Sequence, residues 1–433
     1  MSFLIHEEIV EIDNPRVFKW KDIYCSIKKQ IQQFKKTKPL EIVKLNLVKS
    51  TKSKLYFHVI CLKNFKGFLD EPFLPNVGAT FKVASTTNEI SCLIIPTGVG
   101  ALFGGYAGDA NPLAKIFASQ NKYLLTHPNV VNGAVLTDVP ENLIYLEGYL
   151  LDQFLIGKIN IIPNEKNKIG VIFDKGIPEE RLEYELNVLN ATRAFYGCEI
   201  KAWTLTEKPL LIKPEISNFG FSSGKIKNLE YVIEKAHKLK EIGVSAIAVC
   251  CAIPDFELNS DYISGSGIDP IGGVESIISH VVSASCGLVS AHAPVLLTDE
   301  RVNYKKISPV SSSEYIAETF LPSVISGLRF APKIVKSQQG ISLKGQKTFY
   351  DIANLVVPYN AFGSAGVFFL NEQLQNVFLV RENKTCLKVN PNDLNVSFKL
   401  IDKYFDLISK EEINRQNIDL DVLKRPIRKI SKV

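Results

Sequence analysis

Ser91-Cys92-Leu93-Ile94-Ile95-Pro96-Thr97-Gly98-Val99-Gly100-Ala101-Leu102-Phe103-Gly104-Gly105-Tyr106-Ala107-Gly108-Asp109-Ala110-Asn111-Pro112 is an apolar run feeding a loop with five glycines. A helix is expected to begin at Pro112. Glycine admits positive φ and lets a ligand come close to backbone N–H groups. A helix N-terminus just beyond adds partial positive charge. The pattern therefore reads as a strand end carrying an anion or phosphate cradle. Gly98, Gly100, Gly104, Gly105, Gly108 and Asn111 are its candidate ligand contacts. No Gly-Lys-Ser/Thr follows, so this is not a Walker A loop. Gly98-x-Gly100-x-x-x-Gly104 is one residue longer than the dinucleotide fingerprint. Asp109 or Asn111 would also serve as a helix cap, with Pro112 at the first position.

Outward from this stretch, short apolar runs alternate with helical patterns. Strands are expected at Ser91–Ile95, Tyr123–Thr126, Ile169–Phe173, Glu199–Thr204, Ala246–Cys251, Leu288–Ala291 and Leu355–Val357. Helices are expected at Pro112–Ser119, Asn142–Phe154, Pro178–Tyr196, Asn228–Ile242 and Val274–Ser285. Continuous apolar strands indicate a parallel sheet covered on both faces. The fold class is therefore α/β, a mainly parallel doubly wound body over residues 86–391. In front lies a small N-terminal α+β unit over residues 1–85, with a helix at Phe18–Phe34 and strands at Ile42–Val48 and Lys54–Leu62. Val377–Val380 and Thr385–Val389 suggest a strand–turn–strand, and residues 392–433 a polar, basic, helical tail.

Bulk properties narrow the function. The chain has 433 residues, 46% of them hydrophobic, enough for a large core. The net charge of +6 comes largely from lysines near the start and Lys424, Arg425, Arg428, Lys429 and Lys432 near the end. The aromatic and arginine interleaving of a nucleic-acid reader is absent. None of the eight cysteines forms a CxxC pair, which fits a reducing compartment. No signal-peptide pattern and no long apolar run are present, so a soluble cytoplasmic protein without a membrane partner is expected.

Three further strand-end clusters carry polar residues. Thr126-His127-Pro128-Asn129 follows one strand, where open parallel sheets bind ligands. His127 is a candidate acid–base group there, and Asn129 a ligand contact. The densest cluster runs from Ala246–Ile253 through Pro254-Asp255-Phe256-Glu257 to Gly265-Ser266-Gly267-Ile268-Asp269-Pro270-Ile271-Gly272-Gly273-Val274-Glu275. Glu275 and Ser279 share a helix face, as do Gly272, Ser276 and His280. His292 ends the next strand. His280, His292, Asp269 and Glu275 are acid–base candidates with Asp109, and Gly267, Gly272 and Gly273 are ligand-contact candidates. The last cluster, Val357-Pro358-Tyr359-Asn360-Ala361-Phe362-Gly363-Ser364-Ala365-Gly366, adds Gly363. No HxH, HxxxH or CxxC spacing supports a metal site. Cys250 and Cys251 read as inert core residues.

These blocks together resemble the family called domain of unknown function 3326: Ile95 to Asp109, Thr126 to Asn129, Gly267 to Glu275 and Ala291-His292-Ala293-Pro294. The resemblance covers roughly residues 85–390. It implies a cyanobacterial or plastid setting and brings no established activity or catalytic residues. Phe362-Gly363-Ser364-Ala365 departs from a Leu-Gly-Gly-Pro pattern expected there, which puts a role for Ser364 in doubt.

The leading expectation is an enzyme acting on a small anionic or phosphorylated metabolite or nucleotide, with transferase, lyase and isomerase chemistry all compatible. The cofactor is left open, and a homo-oligomer is compatible. The alternative is a non-catalytic ligand-binding or assembly protein of photosynthetic cells. An enzyme should hold His127 or His292 within reach of an acid inside one pocket.

Overall fold

Strands apolar on both faces must be covered on both faces, and this chain builds several of them. The computed structural model describes residues 3–34, 40–76, 88–163, 166–253, 260–296, 307–338, 343–374 and 376–432. The Pro254–Glu257 segment and the expected boundary near residue 85 lie outside the described residues.

The chain opens with β1 (Leu4–Asp13), the helix Trp20–Phe34, β2 (Leu40–Ser50) and β3 (Lys54–Lys63). These strands form an antiparallel sheet in the order β1-β3-β2. Next come β4 (Ile90–Leu93), β5 (Tyr123–Thr126) and β6 (Leu143–Tyr145). The chain then leaves to make β7 (Ile159–Ile162), β8 (Lys168–Phe173), β9 (Glu199–Leu205), β10 (Leu211–Ile216), β11 (Ser222–Lys227), β12 (Ala246–Ile253), β13 (Val289–Leu296) and β14 (Lys333–Lys336). It returns with β15 (Ile352–Pro358), β16 (Val377–Val380) and β17 (Lys399–Ile401).

The body is α/β, as the alternating pattern predicts, and its parallel strands divide between two sheets. One has six strands in the order β17-β16-β15-β4-β5-β6 and the other four in the order β13-β12-β8-β9. Every pairing within both is parallel. Numbered from β4, the larger sheet runs 3-2-1-4-5-6, the doubly wound order of dinucleotide-binding sheets. Its switch point falls between β4 and β15, and ligands of open α/β sheets bind outside the carboxyl ends there. All four residues of β4 and all eight of β12 are buried. The antiparallel pairs β10–β11 and β7–β14 complete the sheets.

The N-terminal sheet sits directly on this body. Leu47 N–H donates to Gly363 O (2.8 Å), and Trp20 N–H donates to Glu372 Oε1 (2.6 Å). Trp20 is fully buried and stacks on Phe368 with centroids 5.7 Å apart.

Local readings shift in three places. Asn142–Phe154 is not one helix: Leu143–Tyr145 is a buried strand beside β5, and the helix restarts as Gly148–Leu155. The Glu147 carboxylate accepts from Tyr149 N–H and Leu150 N–H, which fixes the new start. Thr385–Val389 is not a strand; the amide of Asn360 takes the carbonyls of Thr385 and Leu387 instead. The tail is less helical than expected, since Lys399–Ile401 extends the parallel sheet and the helix there is Lys410–Arg415. β1 has no counterpart in the sequence reading, because its polar residues break a clean alternation.

Candidate functional site

A cavity of about 230 Å³ opens where several strand ends meet. The larger sheet supplies Ile94, Pro96, Thr97 and Val99 after β4, His127, Pro128 and Asn129 after β5, and Ala361, Gly363 and Ser364 after β15. Hence the floor lies at the switch point of that sheet. The helix Gly272–Cys286 contributes Glu275, Ser276, Ser279 and His280, and β13 contributes His292. The N-terminal sheet closes one side with Lys44, Asn46 and His58.

The glycine-rich loop meets the second glycine block. Gly98 has φ +68°, and a Cβ there would lie 3.0 Å from Ser222 Cβ and 3.1 Å from Gly273 N. On Gly273 a Cβ would lie 2.0 Å from Ser222 O, far inside contact distance. So these glycines let three backbone segments touch. Gly100 likewise packs on Gly267, Gly108 on Gly133, Gly104 on Ile95, and Gly272 on Thr97. Of the expected ligand contacts, Gly105, Asn129 and Gly363 line the cavity. Gly98, Gly100, Gly104, Gly108, Asn111, Gly267, Gly272 and Gly273 pack around it rather than along its lining.

Several of the loop's backbone donors have protein acceptors. Leu102 N–H donates to Lys384 O (3.2 Å), Phe103 N–H to Asn383 Oδ1 (3.1 Å) and Ala107 N–H to Glu314 Oε1 (2.8 Å). Tyr106 N–H donates to Asp109 Oδ1 (3.3 Å). Asp109 itself lies off the lining, paired with Arg425 Nη2 at 2.9 Å. Burial raises its carboxyl to about 6, with Arg425 opposing the shift. Neither Asp109 nor Asn111 caps the next helix. It starts at Asn111 behind Ala110, with no side-chain cap. Asn111 Nδ2 instead donates to Asp138 O (2.8 Å). Asn129 Nδ2 bridges Ile95 O (2.8 Å) and Gly104 O (2.7 Å), tying β4's exit to the loop.

Besides His58, three histidines reach the cavity from three elements. Ile95 N–H donates to His127 Nε2 (3.0 Å), so the ring proton resides on Nδ1. Burial and the nearby His280 lower His127 to about 4. His292 Nδ1 lies 2.6 Å from Ser279 Oγ, and its Nε2 lies 3.4 Å from Glu275 Oε2. Burial lowers His292 to about 3 and pushes Glu275 well above its ordinary range, with Asp269 and Glu314 adding repulsion. The two shifts agree on a pair in which neither group is charged, because an ion pair at this buried site would cost more desolvation than it returns. His280 Nδ1 approaches Glu147 Oε2 at 3.0 Å without hydrogen-bond geometry. Glu275 Oε1 and His280 Nδ1 are both buried and without a hydrogen-bond partner.

Carboxyl groups surround these rings. Asp269 Oδ1 accepts from Ile271 N–H (2.9 Å) and Gly272 N–H (3.0 Å) at the helix start. Asp152 Oδ1 accepts from Gly366 N–H (2.9 Å), and burial raises Asp152 to about 7. Glu314 also accepts from Tyr262 Oη at 2.7 and 2.9 Å; burial and then Asp269 raise it to about 8. Backbone donors at the start of the Gly272–Cys286 helix, and those of Tyr106 and Ala107 in the glycine loop, thus face the protein's own carboxyls. Cys250 and Cys251 are buried, and burial pushes both thiols well up. Among the described residues, no group of three or more His, Cys, Asp or Glu side chains is arranged to hold a metal ion.

Sequence reasoning missed Lys44, Glu147, Asp152 and Glu314, all of which line the cavity. Lys44 interrupts Ile42-Val43-Lys44-Leu45, and Asp152 interrupts an apolar helix; a charge inside an apolar run was the available signal. Glu314, in a serine-rich turn, carries no such mark.

The family model described as "Protein of unknown function (DUF3326)" matches residues 90–424. The chain belongs to this family. The matched span holds the six-stranded sheet and most of the lining, and leaves out Lys44, Asn46 and His58. A similar protein, described as an uncharacterized lipoprotein of Synechococcus sp., is 33% identical over 345 residues. The match covers 79% of this chain and 95% of that protein. No solved structure matches the chain. Among the described residues, no helix is long and apolar enough to cross a membrane.

Proposed function

We propose that this family member is an enzyme that moves a proton on a small anionic metabolite bound in the cavity. The Glu275–His292 pair is the central acid–base unit, Ser279 orients its imidazole, and His127 and His280 supply further polar contacts. The carrying observation is Glu275 Oε2 at 3.4 Å from His292 Nε2 in the lining of one cavity. A neutral imidazole beside a protonated carboxyl has both a base and an acid ready near neutral pH. Glu275 Oε1, buried and without a hydrogen-bond partner, supports a ligand that completes its hydrogen bonds.

Asp269 holds the helix start, and Asp109 acts at a distance by fixing the glycine loop. Proton abstraction beside a carbonyl, as in an isomerase or lyase, suits this set better than acyl transfer. Ser279 sits mid-helix with its hydroxyl on His292 Nδ1, away from any oxyanion-hole arrangement. A binding-only protein would use the same cavity without proton exchange. All eight cysteines are free thiols, which supports a reducing, cytoplasm-like compartment. The Synechococcus protein's description as a lipoprotein points the other way; membrane and soluble fractions of the native cell would separate the two.

The test incubates the protein in D₂O with a panel of hydroxy acids, keto acids and sugar phosphates, read by proton NMR. Deuterium incorporation or a new product is expected, and its loss in His292→Gln and Glu275→Gln. A panel member that binds yet neither exchanges nor converts would overturn the enzymatic reading.

A further inference from the structure

The cavity is rich in acids, and Lys44 is the sole Lys or Arg among its described lining residues. It arrives from β2 and donates from Nζ to Ser276 Oγ (3.0 Å). Ser276 Oγ in turn donates to Gly273 O (2.7 Å), so its lone pair faces the ammonium. An ammonium has three donors, and this contact uses one. Among the described residues no carboxylate lies within ion-pair distance of Lys44 Nζ. Glu7, whose charge it feels, is already engaged by His58 Nε2 (2.7 Å) and Ser223 Oγ. Burial lowers Lys44 to about 8, which leaves it largely protonated at neutral pH. A partly buried cation whose counter-charge, Glu7, lies beyond ion-pair distance is costly, and an entering anion would relieve that cost.

We propose that Lys44, with Ser276, is the subsite for the anionic group of the ligand, a carboxylate or a phosphate. The inference rests on the cavity being the ligand site of the proposed function, and it moves the anion from the glycine loop to the N-terminal sheet. The helix Gly272–Cys286 then acts as a ruler. Ser276 lies in its first turns and Ser279 and His280 one turn on, about 4.5–6 Å along the axis at 1.5 Å per residue. The ligand is thus a compact anion whose charged group lies about one helical turn from Ser279, which holds the His292 ring.

Phosphate and malonate are the probes. Each should raise the melting temperature of the wild-type protein relative to chloride at equal ionic strength. Lys44→Gln should weaken their binding by about tenfold or more, as loss of a charged hydrogen bond does, while Lys44→Arg keeps most of it. In the wild type, both anions should slow reductive methylation of Lys44, read by peptide mass mapping. That readout holds even where Lys44→Gln fails to fold. Equal anion binding in Lys44→Gln, or a methylation rate indifferent to the anions, would overturn the proposal. The D₂O exchange assay separates the two readings. Anion binding through Lys44 with no His292-dependent exchange defeats the enzymatic reading alone. Exchange without Lys44-dependent binding defeats the anion subsite alone.

Discussion

The glycine-rich loop and the histidine wall lie on neighbouring sides of one cavity, and they solve opposite problems. The loop is permissive in sequence, and in the structure the N–H groups of Leu102, Phe103, Tyr106 and Ala107 end on Lys384, Asn383, Asp109 and Glu314. The histidines are sparse in sequence yet converge from β5, the Gly272–Cys286 helix and β13. The difference teaches that a strand-end glycine loop becomes an anion site only where its donors lack an internal acceptor. Here most of the loop's glycines make close packing contacts, and the histidines of the lining come from three elements besides the N-terminal sheet.

Breaking the loop side should give the largest loss of stability. Arg425→Ala strands a buried carboxylate on Asp109, and breaking such pairs costs about 3–5 kcal/mol. A cycle with Asp109→Asn should be strongly non-additive in chemical denaturation. The pH sign follows from Asp109. Its folded value is above the ordinary 3.8, so the folded state binds more protons between about 4 and 6. Stability from this group therefore falls as pH rises through that window, and without Arg425 the fall should be steeper. A defect that does not grow from pH 5 to 7.5 would contradict the assignment.

Gly273→Ala comes next. Its Cβ must displace Ser222 O, an overpacking worth about 1–3 kcal/mol, and thermal unfolding measures it. On the other side of the comparison, His292→Gln should shift stability by no more than about 1 kcal/mol. Its effect belongs in turnover, a loss of about 10²–10⁴-fold in the exchange assay if it is the acid–base group. A variant that unfolds without altering specific exchange would make His292 a packing residue like the glycines.

Much of the larger sheet was legible, because β4, β5, β15 and β16 are apolar runs bounded by glycine, proline or polar turns. His127, His280, His292, Asp269 and Glu275 were legible as a set because a strand end, a glycine-rich loop and one helix collect them, although His292 lies inside β13 rather than at the strand end expected there. The split of the parallel strands into two sheets was not, since a long excursion returns to β15 without marking the local sequence. Nor was the N-terminal share of the site. Lys44 lies 232 positions before Ser276, and only packing of the N-terminal sheet on the body brings them together. The glycines were an ambiguous signal for a physical reason: their pattern is the same whether backbone or ligand makes the close approach.

The most direct test of the neutral acid–base wall is a ¹⁵N NMR titration of the six histidines, with His127→Gln and His292→Gln giving assignments. His127 should stay neutral in the Nδ1–H form from pH 5 to 8, and His292 should stay neutral over the same range, since burial holds them near 4 and 3. Either ring gaining a proton between pH 5.5 and 7.5 would contradict the account.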